Sequence, residues 1–589
     1  MVPIDHENSY IRTLYPKIRS QLRMDSMEQR HHIDSLYEKN IISSLDYYFS
    51  LHLLGLSRNP DPLVGFSLAL LSKANSLGHI CLDTDSLSGQ PVRFSDMETD
   101  PEFFYPARGE WQEALARSDL VSGSIQSPMV LDPDGRLYLA RMFDVQTRLV
   151  QNLKERLLQT PAEDQFHGVM PVVEDAFGTF SLDAPGIAAQ KQAVLNGLTR
   201  PFSIITGGPG TGKTSIARTI ITLIKQHPDT FGPDAHILCV APTGKAASRF
   251  EDGSTIHRAL GMNRAGSGVK YHRKNPLFVD TVIIDEASMI DLVLMTRFLE
   301  AIPTDSRIIM IGDPHQLSSV ESGAVFKDIC QSRILKDHIT PLEYNFRSTD
   351  DSDIDRISKA IRSGDTETLL EHLTGQPSDQ VEFIDLDPES NSHEILKDRI
   401  LHGYGCFFKE EDPERCLDAL DRFKVLSPFR HGLFGTTAVN TLCKNILRSG
   451  PNFDIQDRFV KRAVMINKND YQHNLFNGDT GVVCPTDDGP KAFFRHADDQ
   501  VSRFDPNTLG GWEDAFAVTI HKSQGSEYDH VLMILPSGSA PFITRQLLYT
   551  GFTRARRKIT LVAPLAVIAQ AITTTTQRPS NISGLLDQY

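Results

Sequence analysis

The sequence predicts an α/β protein built on doubly wound parallel sheets, and three stretches carry that prediction. PFSIITGGPGTGKTSIARTIITLIKQ reads as strand, glycine-rich loop and amphipathic helix. TVIIDEASMIDLVLMTRFLE reads as a buried strand ending in two acids, followed by a helix. RIIMIGDPHQL is a third apolar strand ending in polar groups, placed one helix later, as the next parallel strand should be.

The first stretch carries Gly207, four residues, then Gly212, Lys213 and Thr214, the spacing of a phosphate-binding loop. Gly207, Gly208, Pro209, Gly210, Thr211, Gly212, Lys213, Thr214 and Ser215 are therefore expected to cradle a nucleotide. Glycines let backbone N–H groups close on phosphates, and the helix N-terminus adds a favourable dipole. Lys213 is expected to reach the β- and γ-phosphates and Thr214 to hold Mg²⁺. Asp285 at the second strand end is expected to serve the metal, and Glu286 to orient or deprotonate the attacking water. Gln316 is placed to sense the γ-phosphate. Arg347 in LEYNFRS and Arg554 in YTGFTRAR supply the cations that stabilise charge on a transferring phosphate. Both arginines lie beyond the first sheet, so a second domain is expected to close over the nucleotide and its Mg²⁺.

The bulk numbers bound the rest. A chain of 589 residues exceeds one core. Hydrophobic content of 40% and charged content of 23% are those of an ordinary globular protein. No apolar run reaches the length of a membrane helix, and MVPIDHENSYIRTLYPKIR lacks a signal-peptide core, so a cytoplasmic protein with no membrane partner is expected. The seven cysteines form no CxxC, which argues against zinc and iron–sulfur sites. A net charge of −15 argues against indiscriminate coating of nucleic acid, not against a local basic channel.

GGPGTGKT, APTGKAA, STIHRAL, IIDEASMID, GDPHQLSSVESGAVFKDI, NFRS, NGDTGVV, HKSQGSEYD and YTGFTRAR, in this order, resemble the motif series of superfamily 1 helicases. The resemblance is to the RecD branch, whose members move 5′→3′ on single-stranded DNA. It implies two RecA-like motor domains, a helical N-terminal domain and a small inserted SH3-like β-barrel. The implied division is a partner-docking domain at 1–165, a first motor domain at 166–340, a second at 341–572 with the barrel at 455–512, and a flexible tail at 573–589. RAGSGVKYHRKNPLF is expected to form a short basic strand-splitting insertion, and the NG dipeptide at 477–478 is a hairpin signal.

The resemblance also implies site roles. Gln190 would hydrogen-bond the adenine and Glu527 would approach the ribose. PTGK lacks the upstream glycine of a second phosphate loop, so Thr243 and Lys245 are read as DNA-backbone contacts, joined by Thr255 and His257. In the loop between the apolar runs AFAVTI and VLMILP, Thr519, His521, Lys522 and Ser523 would hold DNA phosphates while Glu527 faces the nucleotide. Of the cluster RARRK, only Arg554 is assigned to ATP. The implied protein is an ATP-dependent helicase subunit of an exodeoxyribonuclease V-like complex in double-strand break repair and recombination. Its partners would be single-stranded DNA, duplex ends and RecB- and RecC-like beta and gamma subunits, with no nuclease site in this chain. The alternative is a stand-alone 5′→3′ helicase of the same branch.

Overall fold

The computed structural model describes residues 31–94, 103–159, 163–178, 184–262, 268–319, 321–347, 352–375, 378–386, 392–448, 461–470, 472–496, 499–536, 542–575 and 578–588. The start of the chain, part of the basic insertion (263–267) and the expected first residues of the barrel (455–460) lie outside them. The chain divides into two compact units.

The first unit gathers residues 1–149 with 320–323 and 578–582. Helices α1 (His31–Glu38), α2 (Ser44–Leu56) and α3 (Pro62–Ser76) form its helical part. The Ser43 side chain and the Asp46 carboxylate form a reciprocal capping box that starts α2. Asp61 caps α3, whose first residue is proline. The helices touch closely at Gly65, where a Cβ would meet Leu54 Cδ2 at 2.7 Å and Ile33 Cδ1 at 2.9 Å. α3 stops at Ser76, and Cys81–Asp83 forms β1. With β2 (Val121–Ser122), β3 (Met129–Leu131) and β4 (Arg136–Leu139) it makes a four-stranded sheet, ordered β1-β4-β3-β2, which the sequence reading did not foresee.

The second unit carries both parallel sheets. In the first, α4 (Ile187–Thr199) precedes β5 (Phe202–Gly207) and α5 (Lys213–Gln226) follows it. Then come β6 (Ile237–Ala241), α6 (Gly244–Ala247), β7 (Ser254–Thr255), β8 (Thr281–Ile284), α7 (Leu292–Ala301), β9 (Arg307–Gly312) and β10 (Ile339–Leu342). The order is β10-β5-β9-β8-β6-β7, parallel throughout. All four residues of β8 are buried, as parallel strands covered on both faces require. Because β10 pairs with β5, the boundary drawn at 340 runs through a strand of the first sheet.

The second parallel sheet takes β11 (Val381–Asp385) and β12 (Phe423–Ser427). The chain then leaves for the inserted strands β13 (Arg462–Ile466), β14 (Thr480–Cys484), β15 (Lys491–Arg495), β16 (Val501–Phe504) and β17 (Trp512–Asp514). It returns as β18 (Ala517–Thr519), β19 (Tyr528–Ile534), α8 (Arg545–Phe552) and β20 (Ala555–Ala563). The parallel order is β11-β20-β19-β12-β18. The inserted strands form a five-stranded antiparallel sheet, β16-β15-β14-β13-β17, whose edge strands do not pair with each other among the described residues. Asn477–Gly478 sits inside the long β13–β14 connection as a type II turn, with Gly478 at φ +96° and Asp479 N donating to Phe476 O at 2.9 Å. It is not a two-residue hairpin.

The Thr544 hydroxyl caps the backbone N–H of Leu547 and starts α8 over LLYTGF. One expectation is corrected. The tail read as flexible carries α9 (Ile582–Asp587). Within the first unit, Asn581 Nδ2 donates to Asp132 at 3.1 Å and Asp134 at 3.0 Å. Within the second, Asp587 accepts from Ser332 Oγ at 2.7 Å and Arg333 N at 2.8 Å. Polar side chains with fixed partners order a segment whose composition alone looks disordered.

Arg156 gives a stability test. Its fully buried guanidinium donates to the carbonyls of Ile302 at 2.8 Å, Pro303 at 2.9 Å and Leu299 at 3.2 Å, closing the C-terminal end of α7. Arg156→Met takes the guanidinium donor from all three carbonyls. It is expected to lower unfolding free energy by about 2–4 kcal/mol, read by urea denaturation.

Candidate nucleotide and nucleic-acid site

The loop after β5 has the shape its sequence predicts. Gly210 and Gly212 take φ values of +83° and +87°, where L side chains are strained. A Cβ on Gly210 would lie 2.1 Å from Asn345 Oδ1, and one on Gly212 would lie 2.3 Å from Gln190 Nε2. The loop is therefore held between α4 and the segment after β10. Gln190 donates to the Thr211 carbonyl at 3.3 Å. Lys213 opens α5, and its ammonium donates to the Gly207 and Gly208 carbonyls, both at 2.7 Å. Burial pushes its pKa down, opposed by Asp313, Glu286 and Asp285. Thr214 follows in the first turn, and Ser215 is exposed.

Asp285 and Glu286 sit buried at the end of β8, 2% and 8% exposed. Glu286 has φ +51°, an uncommon conformation for a non-glycine residue. Its backbone N–H donates to Asp285 Oδ1 at 2.9 Å. Burial and the Glu286 charge push the Asp285 pKa up to about 6, against the pull of Arg249 and Lys213. At the end of β9, Asp313 accepts from Gln316 Nε2 and from the Tyr549 hydroxyl, each at 3.1 Å.

The second sheet meets this edge directly. Leu317 N donates to Thr550 Oγ1 at 2.9 Å, and Gln524 Nε2 donates to Leu317 O at 2.9 Å. Arg347 and Glu527 form an ion pair at 2.6 Å, and Arg556 reaches the same carboxylate at 3.4 Å. A pocket beside the phosphate loop is lined by Gly208, Thr211, Arg347, Arg362, Tyr549 and Arg556. Arg554 is 2% exposed and lies below it, donating to the Ser526 and Thr550 carbonyls and to Thr553 Oγ1. Arg556, left unassigned by the sequence reading, lines the pocket in its place.

The expected DNA contacts fall in two groups: β6 pairs with β7 at Ala241–Thr255, which brings the segments of Thr243, Lys245, Thr255 and His257 together, and Thr519 to Ser523 share one strand end and turn. Thr243 and Thr255 cap short helices, accepting from Ala246 N and Arg258 N, each at 3.3 Å. Thr255 also lines an open groove of about 1480 Å³ with Arg258, Phe476, Asp479, Arg495 and His496. His257 is exposed, not packed in the core. Burial lowers the pKa of Lys245, with Asp421 and Asp479 opposing. Thr519 Oγ1 accepts from Lys522 N at 3.3 Å, and the Lys522 ammonium pairs with Glu513. His521 lies half-buried in the same turn. Ser523 is corrected: it is fully buried, its hydroxyl donated to Ile520 O at 2.8 Å, so it offers no surface to a phosphate.

Two further residues were missed. Phe346 is 43% exposed, edge-on to Tyr344 at 4.8 Å, and its ring lies beside Gly186 and Gly212. The aromatic in YNFRS was a signal the sequence reading passed over. Arg249 bridges Asp285 at 3.4 Å and Glu286 at 3.2 Å, which nothing in the local sequence indicates.

Three family profiles match the chain. They are the N-terminal domain of RecBCD enzyme subunit RecD at residues 38–138, an AAA domain at 190–322, and a UvrD-like helicase C-terminal domain at 514–562. The RecBCD enzyme subunit RecD of Mycolicibacterium smegmatis is 30% identical over 556 residues, covering 90% of this chain and 95% of that protein. The chain belongs to the RecD family. The Haemophilus influenzae RecD is 28% identical, covering 94% of this chain and 99% of its own length. The ATP-dependent RecD2 DNA helicase of Deinococcus radiodurans is 25% identical to this RecD-family chain, covering 77% of it and 59% of the relative.

His530, in β19, sets a pH dependence in this RecD-family chain. Burial, and then Lys558, push its pKa down to about 4, and its Nε2 lies 2.9 Å from Thr560 Oγ1. The unfolded imidazole titrates near about 6.5. Below that pH the unfolded chain takes a proton that the folded chain refuses. Stability is therefore expected to fall as pH drops from about 6.5 towards about 4. Denaturation midpoints at about pH 7 and pH 5 should differ less in His530→Gln than in the wild type.

Proposed function

We propose that this chain is an ATP-dependent 5′→3′ DNA helicase, the motor subunit of an exodeoxyribonuclease V-type complex acting in double-strand break repair and recombination. The observation that carries the proposal is the seam between the two parallel sheets. There the phosphate loop and Arg347, which follows β10 of the first sheet, meet Glu527 and Arg556 of the second.

The residues fit ATP and Mg²⁺. Gly207 to Thr214 form the loop, with Gly210 and Gly212 in the left-handed backbone that glycine adopts without strain. The donor set of Thr214 and Asp285 is small, and Mg²⁺ is ordinarily held by one or two protein oxygens with phosphates and water. Mg²⁺ bound with ATP supplies charge neutralisation at the β- and γ-oxygens. Thr214 and Asp285 would hold it, Lys213 would contact the phosphates, Glu286 would orient and deprotonate water, and Gln316 would report the γ-phosphate. Arg347 lies at the pocket to stabilise developing charge. Arg554 would need the loop at 523–526 to shift before it reaches a phosphate. Phe346 offers a ring face for the base beside Gln190. Glu527, held by its arginines, would meet the ribose edge.

The motion follows from the seam. Closing it around ATP and reopening it after hydrolysis would move the two sheets' DNA-side residues relative to each other. Lys245, His257, His521 and Lys522 are the groups to grip a strand in turn, with Thr243, Thr255 and Thr519 supporting. The inserted sheet would act as an SH3-like barrel beside that path. RecB- and RecC-like subunits would dock on the N-terminal region, and the protein would work in the cytoplasm. Among the described residues no helix is long and apolar enough to cross a membrane. A stand-alone helicase is the second reading, favoured by the Deinococcus relative. The N-terminal profile match at 38–138 and relatives covered almost end to end support the subunit.

Lys213→Gln is expected to abolish DNA-stimulated ATP turnover, by about a hundredfold or more, with an unchanged melting profile. Retained turnover removes the site assignment. Phe346→Ala is expected to raise KM for ATP about fivefold with a smaller change in kcat, since a stacked base contributes binding to ground and transition states alike. Steady-state ATPase titrations read both.

A further inference from the structure

Arg249 stands at a meeting of three elements that no assigned role uses. It leaves the short helix α6, whose other end carries Thr243 and Lys245. Its Nη1 lies 3.4 Å from Asp285 Oδ2 and 3.2 Å from Glu286 Oε1. Its Nη2 donates to the carbonyl of Gly525 at 2.6 Å, across the seam in the loop that also holds His521 and Lys522. One planar cation thus touches the acid pair on the first sheet and the backbone of the second sheet's loop.

The geometry is held on both sides. Arg218 Nη2 donates to the Arg249 carbonyl at 2.9 Å, fixing its backbone to α5. Gly525 has φ +73°, the left-handed conformation that aims its carbonyl at the guanidinium. A Cβ there would be 3.8 Å from Arg249 Nη2 and 4.0 Å from Glu286 Oε1. Space therefore does not forbid a side chain at 525; only the backbone conformation does. Gln524, one residue earlier, is tied to Leu317 O, and Ser523 is tied to Ile520 O. The 523–525 segment is therefore a braced turn that stands between Lys522 and the Gly525 carbonyl.

We propose that Arg249 is a positioning residue that couples strand binding to hydrolysis: it sets the Glu286 carboxylate according to the placement of α6 and of the Gly525 carbonyl. The inference rests on the reading of Glu286 as the group that activates water. A planar fork suits this task, because one nitrogen can serve the acids while the other serves the carbonyl. A lysine reaches only one of the two at a time.

The test compares ATP turnover with and without oligo(dT) for the full-length wild type, Arg249→Gln, Arg249→Lys, Gly525→Ala and Glu286→Gln. Oligo(dT) affinity and thermal melting are measured on the same preparations. Arg249→Gln is expected to lower the ratio of DNA-stimulated to unstimulated kcat by about tenfold, with KM for ATP and affinity for oligo(dT) within about threefold of wild type. Arg249→Lys should recover part of the ratio. Gly525→Ala, which leaves the arginine in place and disturbs only its carbonyl partner, should lower the ratio in the same direction and serves if Arg249→Gln does not fold. An unchanged ratio in Arg249→Gln, or equal losses with and without DNA, overturns the coupling role. Glu286→Gln separates the two ideas: loss of turnover there with an unchanged ratio in the arginine variants rejects the coupling alone. Full turnover in Glu286→Gln rejects the underlying site assignment and the coupling with it.

Discussion

Two adjacent carboxylates, Asp285 and Glu286, are buried at the end of one strand, and the rest of the site answers that constraint. Neighbouring buried anions repel and lose hydration, so they persist only where cations face them. Lys213 arrives from the phosphate loop and Arg249 from the exit of α6. Neither lies on the strand that carries the acids. The acid pair therefore requires the β5 loop, the β6 loop and the β8 end to share one edge of the sheet. A parallel doubly wound topology supplies this by placing those loops beyond the carboxyl ends of its strands.

The same logic repeats across the seam. Burial pushes the Glu527 pKa up, but Arg347, Arg554 and Arg556 outweigh it and hold the carboxyl below its ordinary value. Leu317, one residue beyond Gln316, gives its N–H to Thr550 and its carbonyl to Gln524. A main-chain residue next to the expected phosphate sensor is thus hydrogen-bonded on both sides by the second sheet. Both faces of the seam therefore bear on one short set of backbone groups. Coupling of this kind needs discrete hydrogen bonds that can be made or broken, and these are discrete.

Much of this was legible in the sequence because it is local. Phosphate-loop glycines, a strand ending in Asp-Glu and a strand ending in Gly-Asp-Pro-His-Gln each encode a strand–loop geometry within about ten residues. What escaped is tertiary. Arg249 meets the acids only because β6 and β8 are neighbours. Ser523 has the chemistry of a phosphate contact but turns inward to its own loop carbonyl. Arg554 and Arg556 lie on the same basic run, and only packing decides which of them faces the pocket. The C-terminal residues lack apolar periodicity, yet Asn581 finds Asp132 at the far end of the chain. The strands of the first unit are two to four residues long, too short for alternation to register.

In the proposed function the seam converts nucleotide turnover into directed movement along a DNA strand. The most direct measurement is ATP-dependent unwinding of duplexes that differ only in carrying a 5′ or a 3′ single-stranded tail. Unwinding from the 5′ tail alone is the result this account predicts. Unwinding from the 3′ tail, or unwinding that proceeds equally without ATP, would contradict it.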